Sequence, residues 1–283
     1  MKMIGLVTCR DIPEPDPDEQ IQIEAIRAAG GDAELVAWDD PDVDLTRFDR
    51  LILRSCWDYP WREAEFRNWL LFADGESQLF NPLDVVTWNL HKGYLLDLSA
   101  AGVPVVPTQV LAAGSGADRL LQVIEEEGWN EIVLKPAVSA GSWLTDRFGA
   151  GESTRAVRFV EQHGADRDLL IQPYVHSVDH GGERANVFIA GHWTHCVSKH
   201  PRFNGSEEHV GPVQQVLGDD RELGQAALDC APGPVLYGRV DTVRDEQDEP
   251  MVAELELIEP TLFLKENPQA WRLFATACID TDL

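Results

Sequence analysis

Residues 236–260 read LYGRVDTVRDEQDEPMVAELELIEP, and this stretch decides the fold. Two apolar runs flank a polar turn from Arg244 to Pro250, a pattern typical of a β-hairpin. The hairpin therefore predicts an antiparallel pair of strands near the end of the chain.

Four charged side chains occupy alternate positions of this hairpin. A turn centred near residues 247–248 places Asp241 opposite Glu254 and Arg239 opposite Glu256. Alternate residues of a strand point to the same face, so these pairs are predicted to share one face. A register shift of one residue would separate them.

The three carboxylates of this face predict a bound cation. Like charges that face each other destabilise a strand pair, and all-oxygen ligands suit Mg²⁺. Asp241, Glu254 and Glu256 are therefore candidate metal ligands. An exposed acidic ribbon explains the same residues equally well, and the residues alone leave both alternatives open.

A second candidate site lies in residues 131–143, EIVLKPAVSAGSW. An apolar strand leads to Lys135, and a loop of small residues follows at Ser139–Ser142. Backbone N–H groups in such a loop can bind phosphate while a lysine balances its charge. Taken alone, the segment is better explained by a plain strand and turn, since no GxxxxGK[ST] motif occurs.

The first 80 residues alternate between strand and helix patterns. Strands are predicted at 3–8, 34–38 and 50–54, and helices at 19–29 and 61–72. This alternation predicts an α/β unit with a parallel sheet. Polar residues follow two of its strands, where parallel sheets bind ligands, although ordinary loop polarity explains them too. These residues are Thr8, Arg10, Arg54, Trp57, Asp58 and Tyr59.

The rest of the chain alternates less regularly. One helix is predicted through Lys92 to Ala101, and others at 117–127 and 153–163. Strands are predicted at 104–111, 131–137, 168–175, 185–191, 192–199, 236–243 and 251–258.

The net charge of −26 restricts the classes of partner. A chain with 49 acidic and 23 basic residues repels phosphate backbones and anionic lipid, so neither nucleic acid nor a membrane is expected as a partner. Five scattered cysteines without metal-ligand spacing favour a reducing compartment, and no apolar run approaches the length of a membrane span. A cytoplasmic protein is expected, and a homodimer is compatible with the sequence.

The order of these segments resembles the ATP-grasp superfamily. The resemblance covers about residues 80–262 and includes the motifs of D-alanine–D-alanine ligases and glutathione synthetases, carried by LKPAVSAGS (134–142), QPYV (172–175), GRVD (238–241) and ELELIEP (254–260). It implies an α/β and α+β fold in which two subdomains enclose ATP behind a leading parallel α/β domain. The implied units are a pre-ATP-grasp substrate domain (1–84), a connecting helix (85–103), a central subdomain (104–175) and a C-terminal subdomain (176–283).

The resemblance also implies a role for each matching residue. Lys199 and Arg202 would reach the γ-phosphate, Arg239 would stabilise the anionic intermediate, and the three carboxylates would hold two Mg²⁺ ions. Gln172, Tyr174 and Val175 would form the adenine hinge, and Glu183 would contact the ribose. Lys92 and Lys135 would hold the α- and β-phosphates, and the loop with Ser139, Gly141 and Ser142 would close over the β- and γ-phosphates.

Three positions depart from the family pattern. Glu256 replaces an asparagine, which changes the charge of the metal site. Gln172 stands where an acidic residue is common, and Glu259-Pro260 replaces a glycine-rich end.

A narrower resemblance is carried by RSCWDYPWR (54–62), NPLDVVTWNLHKGYL (81–95) and ELELIEPTLFL (254–264). These segments resemble an ATP-grasp group that includes the cyclo-ligase of D-cycloserine biosynthesis, which closes O-ureido-serine into a ring. The expected function is an ATP-dependent carboxylate–amine ligase that forms an acyl phosphate on a small amino-acid-like substrate. The residues expected to hold the carboxylate substrate are Thr8, Arg10, Arg54, Trp57, Asp58 and Tyr59. The alternative is a non-catalytic or regulatory ATP-binding module of the same fold.

Overall fold

The computed structural model describes residues 1–200, 209–215 and 217–280. Its strands form three sheets, which lie in succession along the chain. None of the helices in these ranges is long and apolar enough to cross a membrane.

The first sheet is parallel and belongs to the leading α/β unit. Its strands are β1 (Met3–Thr8), β2 (Asp32–Ala37), β3 (Arg50–Ser55) and β4 (Gln78–Phe80), and its helices are α1 (Glu19–Ala28) and α2 (Glu63–Glu76). The strand order β2-β1-β3-β4 places β1 and β3 in the middle, as their continuous apolar runs require. The predicted parallel sheet is confirmed.

Two helices, and not one, connect this unit to the next. They are α3 (Leu83–Leu90) and α4 (Tyr94–Ala100). The single predicted helix is wrong because His91 adopts an extended conformation and the backbone N–H of Lys92 donates to the carbonyl of Ala137 at 2.7 Å. Lys92 therefore lies in the break and not on a helical face.

The second sheet is antiparallel and carries the small-residue loop. It contains β5 (Gln109–Leu111), β6 (Ile132–Pro136), β7 (Asp146–Phe148) and β8 (Leu169–Pro173), in the order β5-β8-β6-β7, with α5 (Gly116–Glu127) and α6 (Ser153–His163). The strand predicted over 104–111 is shorter, because its prolines supply no N–H to a ladder. Only Val105 pairs earlier, in an isolated bridge to Val252.

The third sheet contains the charged hairpin of residues 236–260. After the short helix α7 (Val178–Gly181) come β9 (Glu183–Ile189), β10 (His192–His200), β11 (His209–Val213), α8 (Gly218–Leu228), β12 (Tyr237–Arg244), β13 (Pro250–Glu256) and α9 (Pro268–Asp280). The sheet order is β11-β10-β9-β12-β13. The predicted register is confirmed, since Arg239 pairs with Glu256 and Asp241 with Glu254.

The last helix packs back onto the first unit. Phe274 of α9 belongs to the same buried cluster as Ile4 and Leu6 of β1 and Ile26 of α1. The guanidinium of Arg50 donates to the carbonyl of Cys278 at 2.7 Å. The two ends of the chain therefore share one core, while the domain boundaries given above stay a prediction.

Candidate active site

A cavity of about 790 Å³ opens where the three sheets meet. Its size is typical of a small-molecule site. The loop after β3 lines one end, and the strands of the second and third sheets line the rest. Most of the residues predicted to bind ATP or metal lie in its wall.

The hairpin supplies a buried network of charges to this cavity. The fully buried carboxylate of Asp241 accepts from the guanidinium of Arg239 at 2.8 Å and pairs with the ammonium of Lys199. The same guanidinium also pairs with the carboxylate of Glu256, which lies opposite Arg239 on the neighbouring strand as predicted. Lys199 lies 3.2 Å from Glu183, which completes this side of the network.

Lys92 connects the hairpin to the small-residue loop. Its ammonium lies 2.5 Å from the carboxylate of Glu254 and donates to the backbone carbonyl of Ser139 at 2.9 Å. The break between α3 and α4 makes this reach possible. Lys92 therefore anchors the small-residue loop and also neutralises the carboxylate of Glu254.

Lys135 is the cation of the cavity with the fewest local partners. Its side chain lines the cavity from β6, and among the described residues none lies within ion-pair or hydrogen-bond distance of its ammonium. Burial lowers the pKa of Lys135, and the charges of Lys92 and Lys199 lower it further. A half-buried cation that other cations face is stabilised by an anion that enters the cavity.

The carboxylates of the hairpin differ in the direction in which the site shifts their pKa values. Burial opposes the charge of Glu254, but Lys92 and Lys135 outweigh it and hold its pKa far below the usual range. Arg239 likewise overcomes burial and lowers the pKa of Asp241. For Glu256, burial prevails over Arg239 and raises the pKa to about 8, so this carboxylate lacks a full complement of positive charge.

The small-residue loop has an unusual backbone. Gly141 and Ser142 adopt φ angles of 57° and 59°, and both line the cavity. No atom lies within 4 Å of the position of a Cβ on Gly141, so glycine is favoured there by backbone conformation alone. Ser139 is buried and donates its hydroxyl to the carbonyl of Pro136 at 3.2 Å.

The residues proposed for the adenine lie together at the end of β8 and just after it. Gln172, Tyr174 and Val175 all line the cavity. The amide of Gln172 donates to the hydroxyl of Thr108 at 2.8 Å, and the backbone N–H of Tyr174 donates to the carbonyl of Glu131 at 2.9 Å. The Tyr174 N–H is therefore already bonded, and any backbone contact to a ligand must come from elsewhere in this segment.

Two of the residues predicted to hold the carboxylate substrate reach the cavity. Trp57 lines it and donates its indole N–H to the carbonyl of Glu259 at 3.0 Å. Tyr59 lines it as well, with its ring stacked on Phe66 at 5.0 Å between centroids.

The other four predicted substrate residues do not line the cavity, and their side chains bond within the protein. Arg54 is 2% exposed and donates to Gln22 and to the carbonyl of Pro260. Thr8 is buried and accepts from the hydroxyl of Ser55. Arg10 pairs at the surface with Asp40, and Asp58 accepts from the indole of Trp38. Arg202 lies outside the described residues.

An aromatic pair at the cavity was not predicted from the sequence. Trp61, after β3, meets Trp143 of the small-residue loop edge to face, with 6.1 Å between ring centroids. Both rings line the cavity, and their contact joins the first unit to the second. The density of aromatic residues in RSCWDYPWR was the available signal.

The carboxylates are not assembled into a finished metal cage. In the ranges that the structure describes, no three His, Cys, Asp or Glu side chains come together closely enough to hold an ion by themselves. This arrangement suits Mg²⁺, which proteins bind through one or two carboxylates together with substrate phosphates.

Comparison with known proteins places this geometry in context. The family model described as D-cycloserine synthetase DcsG, N-terminal domain, matches residues 4–81. The cycloserine biosynthesis protein DcsG of Streptomyces lavendulae is 33% identical over 292 residues, which cover 98% of each chain. The crystal structure of D-cycloserine synthetase DcsG superposes with a TM-score of 0.91 over 97% of this chain and 98% of that one.

More distant structures share the fold. D-alanine–D-alanine ligase from Bacillus anthracis, solved with ATP, has a TM-score of 0.69 at 13% identity and covers 99% of this chain and 97% of its own. The ATP-grasp ligase PsnB, solved with a minimal precursor, Mg and ADP, has a TM-score of 0.66 at 16% identity, over 98% of this chain and 96% of its own. At these identities the likeness extends to the fold alone.

Proposed function

The chain belongs to the family of ATP-grasp ligases that includes the cycloserine biosynthesis protein DcsG, and we propose that it joins a carboxylate to an amine through an acyl phosphate. It is an ATP-dependent ligase, which sets aside the alternative of a non-catalytic module. A decayed site would have lost lysines or carboxylates, whereas each described position of the predicted site that needs a charged side chain has one.

The observation that carries the proposal is the convergence of cations around an available volume. Lys92, Lys135, Lys199 and Arg239 all line the cavity, and three of them already neutralise carboxylates. Lys135 supplies positive charge beyond these pairs. Triphosphate is the ligand whose charge such a set of side chains balances.

The residues present fit Mg²⁺ at the same place. Asp241, Glu254 and Glu256 would hold it together with phosphate oxygens, and the raised pKa of Glu256 marks a carboxylate that a cation would stabilise. When bound, Mg²⁺ supplies neutralisation of the charge that develops on the transferred phosphoryl group.

The chain needs no covalent nucleophile for this chemistry. A substrate carboxylate oxygen attacks the γ-phosphorus of ATP, and ADP leaves. An amine nitrogen then attacks the acyl carbon, and inorganic phosphate leaves. Lys92, Lys135, Lys199 and Arg239 position the anions and stabilise the negative charge that develops on them.

We further propose that both reacting groups belong to one small amino-acid derivative, so that the product is a ring. The relative named D-cycloserine synthetase supports this, because its likeness extends over the whole chain, including the loop after β3. Trp57, Tyr59 and Trp61 line the cavity from the loop after β3, whereas the residues proposed for the adenine lie on β8 and just after it.

Thermal unfolding with Mg²⁺ and a non-hydrolysable ATP analogue tests the nucleotide site. A ligand at about 100 times its Kd stabilises the folded state by about 2.7 kcal/mol, which raises the unfolding midpoint of such a chain by roughly 5 °C or more. We expect Lys135→Ala to abolish this shift and Lys265→Ala, at an exposed lysine, to preserve it. An equal shift in all three proteins would contradict the assignment.

Release of ADP from Mg-ATP in the presence of O-ureido-serine tests the reaction. We expect wild-type turnover and a cyclic product detected by mass spectrometry, with Asp241→Asn and Glu254→Gln reduced by about 10²-fold or more. Wild-type turnover in either variant would refute the metal assignment. If the protein binds the nucleotide but releases no ADP, the nucleotide site stands and O-ureido-serine is refuted as the substrate.

A further inference from the structure

Glu259 is a carboxylate of the cavity for which the phosphates and Mg²⁺ provide no role. It follows β13 by three residues and lines the cavity. Its backbone carbonyl accepts the indole N–H of Trp57 at 3.0 Å, and the hydroxyl of Tyr59 acts on its carboxylate. Glu259 is therefore fixed where the loop after β3 meets the third sheet.

The groups around Glu259 place it at the reacting end of the site. Lys92 and Glu254, which belong to the phosphate and metal side, both act on its charge. The loop after β3 lines the same cavity through Trp57, Tyr59 and Trp61. The titratable groups that face Glu259 from the elements around it are Tyr59, Cys56, Lys92, Glu254 and Tyr237.

The environment makes this carboxylate a capable base. Burial raises the pKa of Glu259 to about 7, and Glu254 adds to this effect, whereas the Tyr59 hydrogen bond and Lys92 act against it. A group with a pKa near neutrality can accept a proton in one step and release it in the next. Burial raises the pKa of Tyr59, so its hydroxyl stays protonated beside the carboxylate and does not compete for the proton.

We propose that Glu259 accepts the proton of the attacking nitrogen during ring closure, with Tyr59 as its positioning residue. The inference rests on the proposed carboxylate–amine ligase function and deepens it. The nitrogen forms a bond to the acyl carbon and gives its proton to Glu259. The electron pair of the broken C–O bond leaves with phosphate, which then takes the proton from Glu259 and regenerates the carboxylate.

The arrangement also restricts the nucleophile. A base is needed where a weakly nucleophilic nitrogen must lose its proton as it attacks, and it is dispensable for a strong nucleophile whose proton passes to water after the bond has formed. Hydroxylamine is such a nucleophile at neutral pH, and it converts an acyl phosphate into a hydroxamate. It therefore separates the formation of the acyl phosphate from the proton transfer that follows.

The test compares Glu259→Gln, Tyr59→Phe and the control Glu249→Gln with the wild type. Glu249 is exposed in the hairpin turn and undergoes the same change of charge outside the cavity. Each protein receives Mg-ATP and O-ureido-serine, with and without hydroxylamine, from pH 5.5 to 8.5. ADP, hydroxamate and cyclic product are measured, and the shift with the ATP analogue reports folding and nucleotide binding.

We expect Glu259→Gln to form hydroxamate at the wild-type rate and cyclic product about 10²-fold or more slowly. The rise of cyclisation rate through about pH 7 should disappear in this variant. Tyr59→Phe should shift that rise to higher pH, because a hydrogen bond that lowers the pKa of Glu259 is lost. Glu249→Gln should match the wild type.

Two results would overturn the inference. Cyclisation at the wild-type rate in Glu259→Gln would exclude a proton acceptor at this position. An equal loss of hydroxamate and cyclic product, with nucleotide binding retained, would assign Glu259 to phosphoryl transfer instead. If the wild type binds the analogue but forms neither hydroxamate nor ADP, the proposed function fails first, and the inference fails with it.

Discussion

Arg54 shows how a polar side chain at a strand end can be structural. Its guanidinium donates to the side chain of Gln22 at 2.9 Å and to the carbonyl of Pro260 at 2.6 Å, and it lies over the ring of Tyr237. These contacts connect Arg54 to three elements, which are α1, β12 and the segment that follows β13. Arg54 therefore joins the leading unit to the third sheet, and a substrate does not reach it.

Replacement of Arg54 should reduce stability and leave substrate affinity unchanged. Arg54→Ala leaves a buried carbonyl and the amide of Gln22 without their donor and opens a cavity, which we expect to cost about 3 kcal/mol. Urea unfolding measures this loss. The control Arg10→Ala, at an exposed ion pair, should change stability by less than about 1 kcal/mol. A raised KM in folded Arg54→Ala, without loss of stability, would contradict the structural role.

Asp18 makes the stability of the protein depend on pH. Its carboxylate accepts the backbone N–H groups of Leu262 and Leu264 at 3.1 and 2.8 Å. Burial raises its pKa to about 6, although Arg54 lowers it. Because the folded pKa lies above the unfolded value, the stabilisation is present below about pH 4 and is lost as pH rises through 6.

Asp18→Asn should remove this dependence. The wild-type free energy of unfolding, relative to the variant, is expected to fall by up to about 3 kcal/mol between pH 4 and pH 7. Urea unfolding at a series of pH values measures the difference, with the exposed Asp11→Asn as control. A difference that is constant with pH, or one that rises, would show that Asp18 does not titrate in this way.

At the scale of elements, the hairpin was predictable and the approach of Lys92 was not. The turn composition and alternating charges of residues 236–260 determine the register, because both act within one local segment. The break at Lys92 arises from a hydrogen bond to Ala137, which lies in another unit. Patterns within a segment contain no information about such a partner, so the sequence predicted one helix.

The same limit explains the substrate end of the site. The sequence located the polar residues after β3, but strand alternation alone could not determine which of them face the cavity. The structure turns Trp57 and Tyr59 inward to the cavity and Arg54 into the core. Glu259 was noted as a departure from the family pattern, and its partner Tyr59 lies 200 positions away in the chain.

The helix α9 should be as important for stability as the sheets are. Phe274 is fully buried against Tyr237, with 6.2 Å between ring centroids, whereas Phe72 on α2 is 55% exposed. We expect Phe274→Ala to cost about 3–5 kcal/mol and Phe72→Ala less than about 1 kcal/mol. Equal, small losses in urea unfolding would show that α9 is not part of the common core.

At the scale of the whole molecule, charge opposes the compact state. The net charge of −26 creates self-repulsion throughout the surface, and only some of it is relieved by local ion pairs. Mobile ions screen such repulsion over a distance that falls from about 30 Å at 0.01 M salt to about 8 Å at 0.15 M. Stability should therefore depend on ionic strength even without any ligand.

Thermal unfolding in sodium chloride and in choline chloride should separate this screening from binding at the site. We expect the midpoint to rise from 0.01 to 0.3 M salt by the same amount with either cation, because screening depends on charge and not on identity. Lys135→Ala should keep this rise and lose the response to Mg²⁺ with the ATP analogue, since the first belongs to the surface and the second to the cavity. A rise with sodium alone would indicate a specific cation site, and no rise with either would mean that local ion pairs already balance the repulsion.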